Sequence, residues 1–311
     1  MQPKIYNLGE IQAKQIPDRI FYLKPLIFPG SMTMLYAAPG VGKTFVTLWL
    51  AAACAGQGTF LKWKSETKGR VLYIDGEMGI EEAKIRLGQL AVGIDYPLIS
   101  GDFHFITPDE SNMGEIPLIS DFNSHKFYLE AAKNRDVIIF DNYGCLTEEG
   151  KDTDSQVWVK AWKLIKQLRA QGKAIVIIHH AGKGGSQLGS SRKEQPLNWL
   201  IELKRPAIYD PKDGAKFELS FKKMRGIYGA DLESMSICLK EEGQGIRWEW
   251  QNLNSDLDER IHEMKDVGMT PQQIATSLNL SVFHILKTLS SNTITLKDKG
   301  DNYYYSDEDK F

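Results

Sequence analysis

Cysteine is scarce in this sequence, with three residues in 311, Cys54, Cys145 and Cys238, far apart and without a C-x-x-C spacing. That excludes a disulfide framework and a thiolate zinc site, and predicts small reduced residues in apolar core settings. Long hydrophobic runs are missing too. The longest, Phe45 to Ala55, is too short to span a bilayer, and no cationic start leads into an apolar stretch and a cleavage site. A soluble, cytoplasmic protein without a membrane partner is expected. A charge excess is also missing: the net value is -2, so any nucleic-acid contact must come from a local patch or an inner ring surface. There is no internal repeat and no low-complexity tract.

The chain has 42% hydrophobic residues in a length that suits one large α/β core plus a small appendage. Its most informative stretch is MTMLYAAPGVGKT at 32 to 44, an apolar strand that runs through a glycine turn into the apolar helix FVTLWLAAACA. Ala37 to Thr44 fit the phosphate-loop pattern [AG]-x4-G-K-[ST]. Inward-facing N–H groups at a helix N-terminus cradle the β- and γ-phosphates of a nucleotide. The expected cradle is Ala38, Pro39, Gly40, Val41, Gly42, Lys43, Thr44 and Phe45. Lys43 would reach the β- and γ-oxygens, and the Thr44 hydroxyl would hold Mg2+.

Further on, strand Arg70 to Ile74 ends in Asp75-Gly76-Glu77, a place where open α/β sheets bind ligand. Glu77 is a candidate general base for the water that attacks the γ-phosphate; capping of the following helix is the alternative. DVIIFDN matches a second nucleotide motif, with Asp141 ordering the water shell of Mg2+. A fifth strand, Ala174 to Ile178, ends in His179-His180, whose side chains must point to opposite sides, so that one can face the γ-phosphate. AGKGGSQLGSSRK, 181 to 193, carries Lys183, Arg192 and Lys193 without an acid and reads as a mobile cationic loop able to track a phosphate backbone.

After 197, alternating segments predict an antiparallel extension of the sheet. In FKKMRG, Lys223 and Arg225 point the same way and can reach one anion together. Residues 1 to 30, broken by Pro17, Pro25 and Pro29, are a lead-in expected to pack across the core. The ATPase domain is expected over 31–251, with Asn252 to Ser255 as a polar linker. Residues 256–311 have the layout of a winged helix-turn-helix. With ten acids against six bases, and only His284 and Lys287 on the would-be recognition helix, protein contact suits that unit as well as DNA.

AAPGVGKT, YIDGE, IIFDN, IIHHAGKGG and FKKMRG, in that order, resemble the RecA-like ATPases, and within them the RepA-type hexameric replicative helicases. The resemblance covers about 20 to 250. It implies a RecA-like P-loop core, mostly parallel, using ATP and Mg2+. The protein would be a homo-oligomer, a hexameric ring on single-stranded DNA, acting as a helicase or loader. Carried over by position, it implies Lys43 and Thr44 at the phosphates, Glu77 as catalytic glutamate and Asp141 at Mg2+. His180 would be the γ-phosphate sensor with Lys183 in the DNA-facing loop, and Lys223 with Arg225 a finger reaching into the adjacent subunit's site. A KaiC-like nucleotide-switched regulator working through protein partners is the alternative.

Overall fold

The computed structural model describes residues 4–110, 116–147, 154–181, 193–206, 209, 215–226, 229–243 and 245–290. Two compact units are present, Met1–Asn254 and Ser255–Phe311.

In the first unit the short helix α1, Leu8–Gln12, is followed by β1, Met32–Ala37, and α2, Lys43–Gly56. A small hairpin, β2 at Thr59–Phe60 and β3 at Trp63–Lys64, leads to β4, Val71–Asp75, α3, Ile80–Gly93, and β5, Phe103–Ile106. Then come α4, His125–Ala131, β6, Val137–Asp141, α5, Asp154–Ala170, and β7, Ala174–His180. The last four strands are β8, Trp199–Lys204, β9, Ala215–Met224, β10, Met235–Glu242, and β11, Gly245–Asn252.

Nine of these strands form one sheet in the order β11-β10-β9-β8-β1-β7-β6-β4-β5. From β8 to β5 every pairing is parallel, while β8·β9, β9·β10 and β10·β11 are antiparallel. The extension after 197 is therefore antiparallel only from its second strand onward. Its first strand joins β1 in parallel, since Asn198, just before β8, hydrogen-bonds Met32 at the start of β1 and the two strands run on together from there.

Strand alternation sorts the core into two layers. Leu35, Tyr73, Val137, Ile139, Val176 and Ile178 face α2 and α3, whereas Met34, Ile74, Phe140 and Ile177 face α4 and α5. Both faces of the central strands are covered, which is why those strands read as continuous apolar runs rather than as alternating ones. Trp158 and Trp162 of α5 stack at 5.8 Å, Trp158 being buried in the second layer.

Several expectations change here. The lead-in packs on the core only in its second part: Tyr22, Leu23, Leu26, Ile27 and Phe28 join the first layer, while Ile5, Leu8, Ile11, Ile16 and Ile20 are exposed. The cap box between Asn7 and Glu10 gives α1 its local order, and hydrophobic burial contributes none. Of the cysteines, only Cys54 is buried; Cys145 is exposed because it lies in the turn after β6, not in a strand. The boundary between the two units falls within the expected linker, Asn252 to Ser255, but the stretch is regular structure: β11 ends at Asn252 and α6, Leu253–Asp266, starts at once.

The second unit continues with α7, Pro271–Leu278, and α8, Val282–Ser290. Ile261, Ile274, Ala275 and Ile285 form its core, and the Thr270–Gln273 capping box starts α7. The expected hairpin over ITLKDKGDNYYYS lies outside the described residues.

Candidate active site

β1 stops at Ala37 because the chain must turn sharply to enter α2, and two glycines with positive φ make that turn. Gly40 has φ +74° and Gly42 +83°, a region that side chains penalise. Gly42 is doubly constrained. A Cβ there would lie 2.8 Å from the ring of Phe217 at the start of β9. The antiparallel extension thus packs directly against the phosphate loop.

Lys43 is 7% exposed, and its ammonium donates to the carbonyl oxygens of Ala37 at 3.2 Å and Ala38 at 3.0 Å. It also lies 3.2 Å from His180 Nδ1, within hydrogen-bond reach. Burial lowers the Lys43 pKa, and the charges of Asp141 and Glu77 oppose that shift. Period-two alternation along β7 explains why His180 and not His179 meets Lys43: it follows Val176 and Ile178 on the α2 side. His179 faces the other layer, stacked on Tyr143 at 5.2 Å.

The acidic side of the site comes from the tips of β4 and β6, where Asp75 and Asp141 are paired in register. Asp141 is 5% exposed. Burial raises its pKa, against hydrogen bonds from Tyr73 and Thr44 and the charge of Lys43. A carboxylate so short of solvation, beside a threonine hydroxyl, is the oxygen donor set that suits a hard divalent cation retaining its own waters. Asp75 has a different task. Its Oδ1 accepts from the backbone N–H groups of Glu77 and Met78, both at 2.8 Å, and so fixes the turn that presents Glu77. Burial pushes the Asp75 pKa up to about 7. Glu77 itself is exposed, and one of its oxygens, Oε2, accepts from the Asn142 amide at 2.5 Å.

Four expected residues thus converge at one sheet edge: Lys43, Glu77, Asp141 and His180. Lys223 and Arg225 do not join them. Lys223 pairs with Leu200 near the start of β8, which lies beside the start of β1. The phosphate loop leaves the other end of β1, about 13 Å away along the strand. At their own edge Lys223 bonds the carbonyls of Glu194 and Gln195, the latter at 3.3 Å, and Arg225 bonds that of Gln195 at 3.0 Å. Burial lowers the pKa of both Lys223 and Arg169, and the nearby charge of Arg225 lowers each further.

Lys193 departs from its expected place on an open cationic loop. It is 0% exposed, with its ammonium 3.0 Å from His179 Nε2 and 4.5 Å above the Tyr143 ring. It is not presented to a phosphate backbone here, because the chain approaching β8 tucks its stem beneath the end of β7. Lys183 and Arg192 lie outside the described residues. Sequence reasoning missed Tyr73, Asn142 and Phe217. Strand parity with Asp75 could have flagged Tyr73, but nothing local marks the other two.

A family model described as an AAA domain, AAA_25, matches residues 6–186, more than half of the chain. The chain belongs to this family. With its strand order, phosphate loop and acidic strand tips, it is a RecA-like P-loop ATPase by architecture, and such ATPases generally use ATP with Mg2+. Among curated proteins it is similar to the DNA repair protein RadA of Brucella abortus, 26% identical over 177 residues, 55% of this chain and 33% of that protein. RadA of Halalkalibacterium halodurans is 36% identical over 92 residues, 29% of this chain and 17% of that protein. The matches therefore span a third or less of those relatives. Among solved structures, the flagellar accessory protein FlaH of Methanocaldococcus jannaschii is 17% identical with a TM-score of 0.48, covering 71% of this chain and 90% of that one. The RadB recombinase is 15% identical with a TM-score of 0.45, covering 70% and 90%.

Proposed function

We propose that this protein is a ring-forming, Mg2+-dependent ATPase that couples hydrolysis to movement along, or unwinding of, single-stranded DNA, as a RepA-type helicase or loader. The observation that carries the reading is the split site. Lys43, Glu77, Asp141 and His180 stand at one edge of the sheet, and Lys223 with Arg225 stand at the opposite edge. A finger at that edge serves only the nucleotide of a second copy. In the site, Lys43 binds the β- and γ-oxygens as a point charge, while Thr44 and Asp141 would hold Mg2+, which would supply neutralisation of phosphate charge. Glu77 orients the water through its second oxygen and takes its proton as the new O–P bond forms and the bond to the β-phosphate oxygen breaks. His180, in contact with Lys43, links the phosphate end to the segment that follows β7. The DNA repair proteins that match part of the chain agree with a DNA client.

ATP turnover with and without single-stranded DNA tests the reading. Stimulation at low salt that fades as salt rises is expected; indifference to DNA at low salt overturns the DNA part. One observation favours the regulator alternative, a KaiC-like switch acting on protein partners. Helix α8 exposes Phe283 at 77% and Leu286 at 51%, a surface better suited to a protein than to a polyanion. For that reading turnover is slow and unmoved by DNA, and partner binding depends on ATP.

A further inference from the structure

Glu77 sits on an exposed turn, where a side chain with three rotatable bonds ordinarily samples several rotamers. Its backbone is fixed by Asp75, but that alone does not aim the carboxylate. The aim comes from Asn142. This residue is 1% exposed and its amide Nδ2 donates to Glu77 Oε2 at 2.5 Å. Its other end is fixed as well, since Oδ1 accepts from the Cys145 N–H at 3.0 Å. The asparagine backbone carbonyl accepts from Leu146 at 3.1 Å, and Gly76 N–H donates to the Asp141 carbonyl at 2.7 Å, so the two strand tips are tied together.

We propose that Asn142 is the positioning residue of the reaction, holding one oxygen of Glu77 so that the other faces the attacking water. The inference rests on the reading of Glu77 as the group that orients that water. Chemistry favours an amide in this place. It donates one directed hydrogen bond and adds no formal charge, so it neither repels the carboxylate nor pairs with it as an ammonium does. It also follows Asp141 directly in the chain, so the carboxylate at the Mg2+ position and the anchor of the base move as one piece. A structural residue is the competing role, because Asn142 also organises the turn to Leu146.

The test separates these roles. Asn142→Ala is expected to lower kcat about 10- to 100-fold while ATP affinity, read with a fluorescent nucleotide, stays within about threefold. Asn142→Asp is isosteric and keeps the acceptor for Cys145 N–H, so it holds the turn while losing the donor to Glu77; its kcat is expected to fall at least as far. Combining Asn142→Ala with Glu77→Gln is expected to be no slower than Glu77→Gln alone, the non-additivity of two groups acting as one. Wild-type kcat in Asn142→Asp, with Glu77→Gln inactive, overturns the positioning role and leaves the reading of Glu77 intact. Normal turnover in Glu77→Gln overturns both.

Discussion

The Tyr73 phenol donates to Asp141 Oδ2 at 2.5 Å and lies 3.0 Å from the Thr47 hydroxyl, joining β4, β6 and α2 at one buried point. Burial raises the Tyr73 pKa well above the usual value and the charge of Asp141 raises it further, and the phenol is the donor to Asp141. Stacking on Phe105 at 5.1 Å and burial of the whole ring leave it one orientation. Tyr73→Phe therefore frees the Asp141 carboxylate to rotate. The Mg2+ concentration for half-maximal turnover is expected to rise about 10-fold, with kcat at saturating Mg2+ within about threefold. An unchanged Mg2+ titration removes the tyrosine from this role.

Gly42 and Phe217 define a second relationship, between the phosphate loop and a strand 175 positions later. Gly42→Ala combines a left-handed backbone with a ring 2.8 Å from the new methyl group. It is expected to cost about 2 to 4 kcal/mol in stability and to weaken nucleotide binding. Introduced into a Phe217→Ala background, the same change is expected to cost only about 1 to 2 kcal/mol, the backbone part. Denaturant unfolding of the four proteins measures the cycle. Equal costs in both backgrounds show that the ring does not press on the loop.

Arg225→Ala is expected to leave nucleotide binding intact and to remove turnover in the assembled protein. Lys43→Ala is expected to remove turnover by itself. Mixed together, the two inactive variants are expected to regain part of the activity, because an Arg225→Ala copy supplies an intact Lys43 and its neighbour supplies the arginine. Mixtures without recovered activity, in a protein shown to exchange subunits, argue against a shared site.

At the far end of the parallel strands, Asp136 accepts from the backbone and side chain of Arg70, with Nε at 2.9 Å. Burial raises the Asp136 pKa, but the hydrogen bonds from Arg70 outweigh it and the net shift is downward. The folded state thus binds the proton less tightly than the unfolded one, so this stabilisation is present above about pH 4 and fades below it. Asp136→Asn is expected to cost about 1 kcal/mol at pH 7, a modest value because the pair is partly exposed. The difference from wild type is expected to shrink below about pH 4. A constant difference across pH rules out the ion pair as its source.

Much of this site was legible because its signals are local. A phosphate loop needs glycines with positive φ next to a lysine, and parallel strands buried on both faces read as apolar runs ending in polar tips, as at Asp75, Asp141 and His180. Alternation even placed the two histidines on opposite faces, since side-chain direction in a strand depends only on position. Where the reading failed, the missing information was long-range. Lys193 looked solvated because its neighbours are polar, yet the path into β8 buries it against His179 and Tyr143. The lead-in reads as core cover along its whole length, yet only Tyr22 to Phe28 reach the core, because the segment's own residues do not say which surface lies within reach.

The sequence by itself determined that a nucleotide loop, two acidic strand tips and a paired histidine occur in one α/β chain, because each is a short-range pattern of backbone and side-chain chemistry. Only the tertiary structure decided which of them meet. Sheet order brings β1, β4, β6 and β7 side by side and sends β9 antiparallel past them, so Lys43, Glu77, Asp141 and His180 share an edge while Arg225 is carried to the other. Strand direction and order are set by packing over the whole core, and no single segment encodes them.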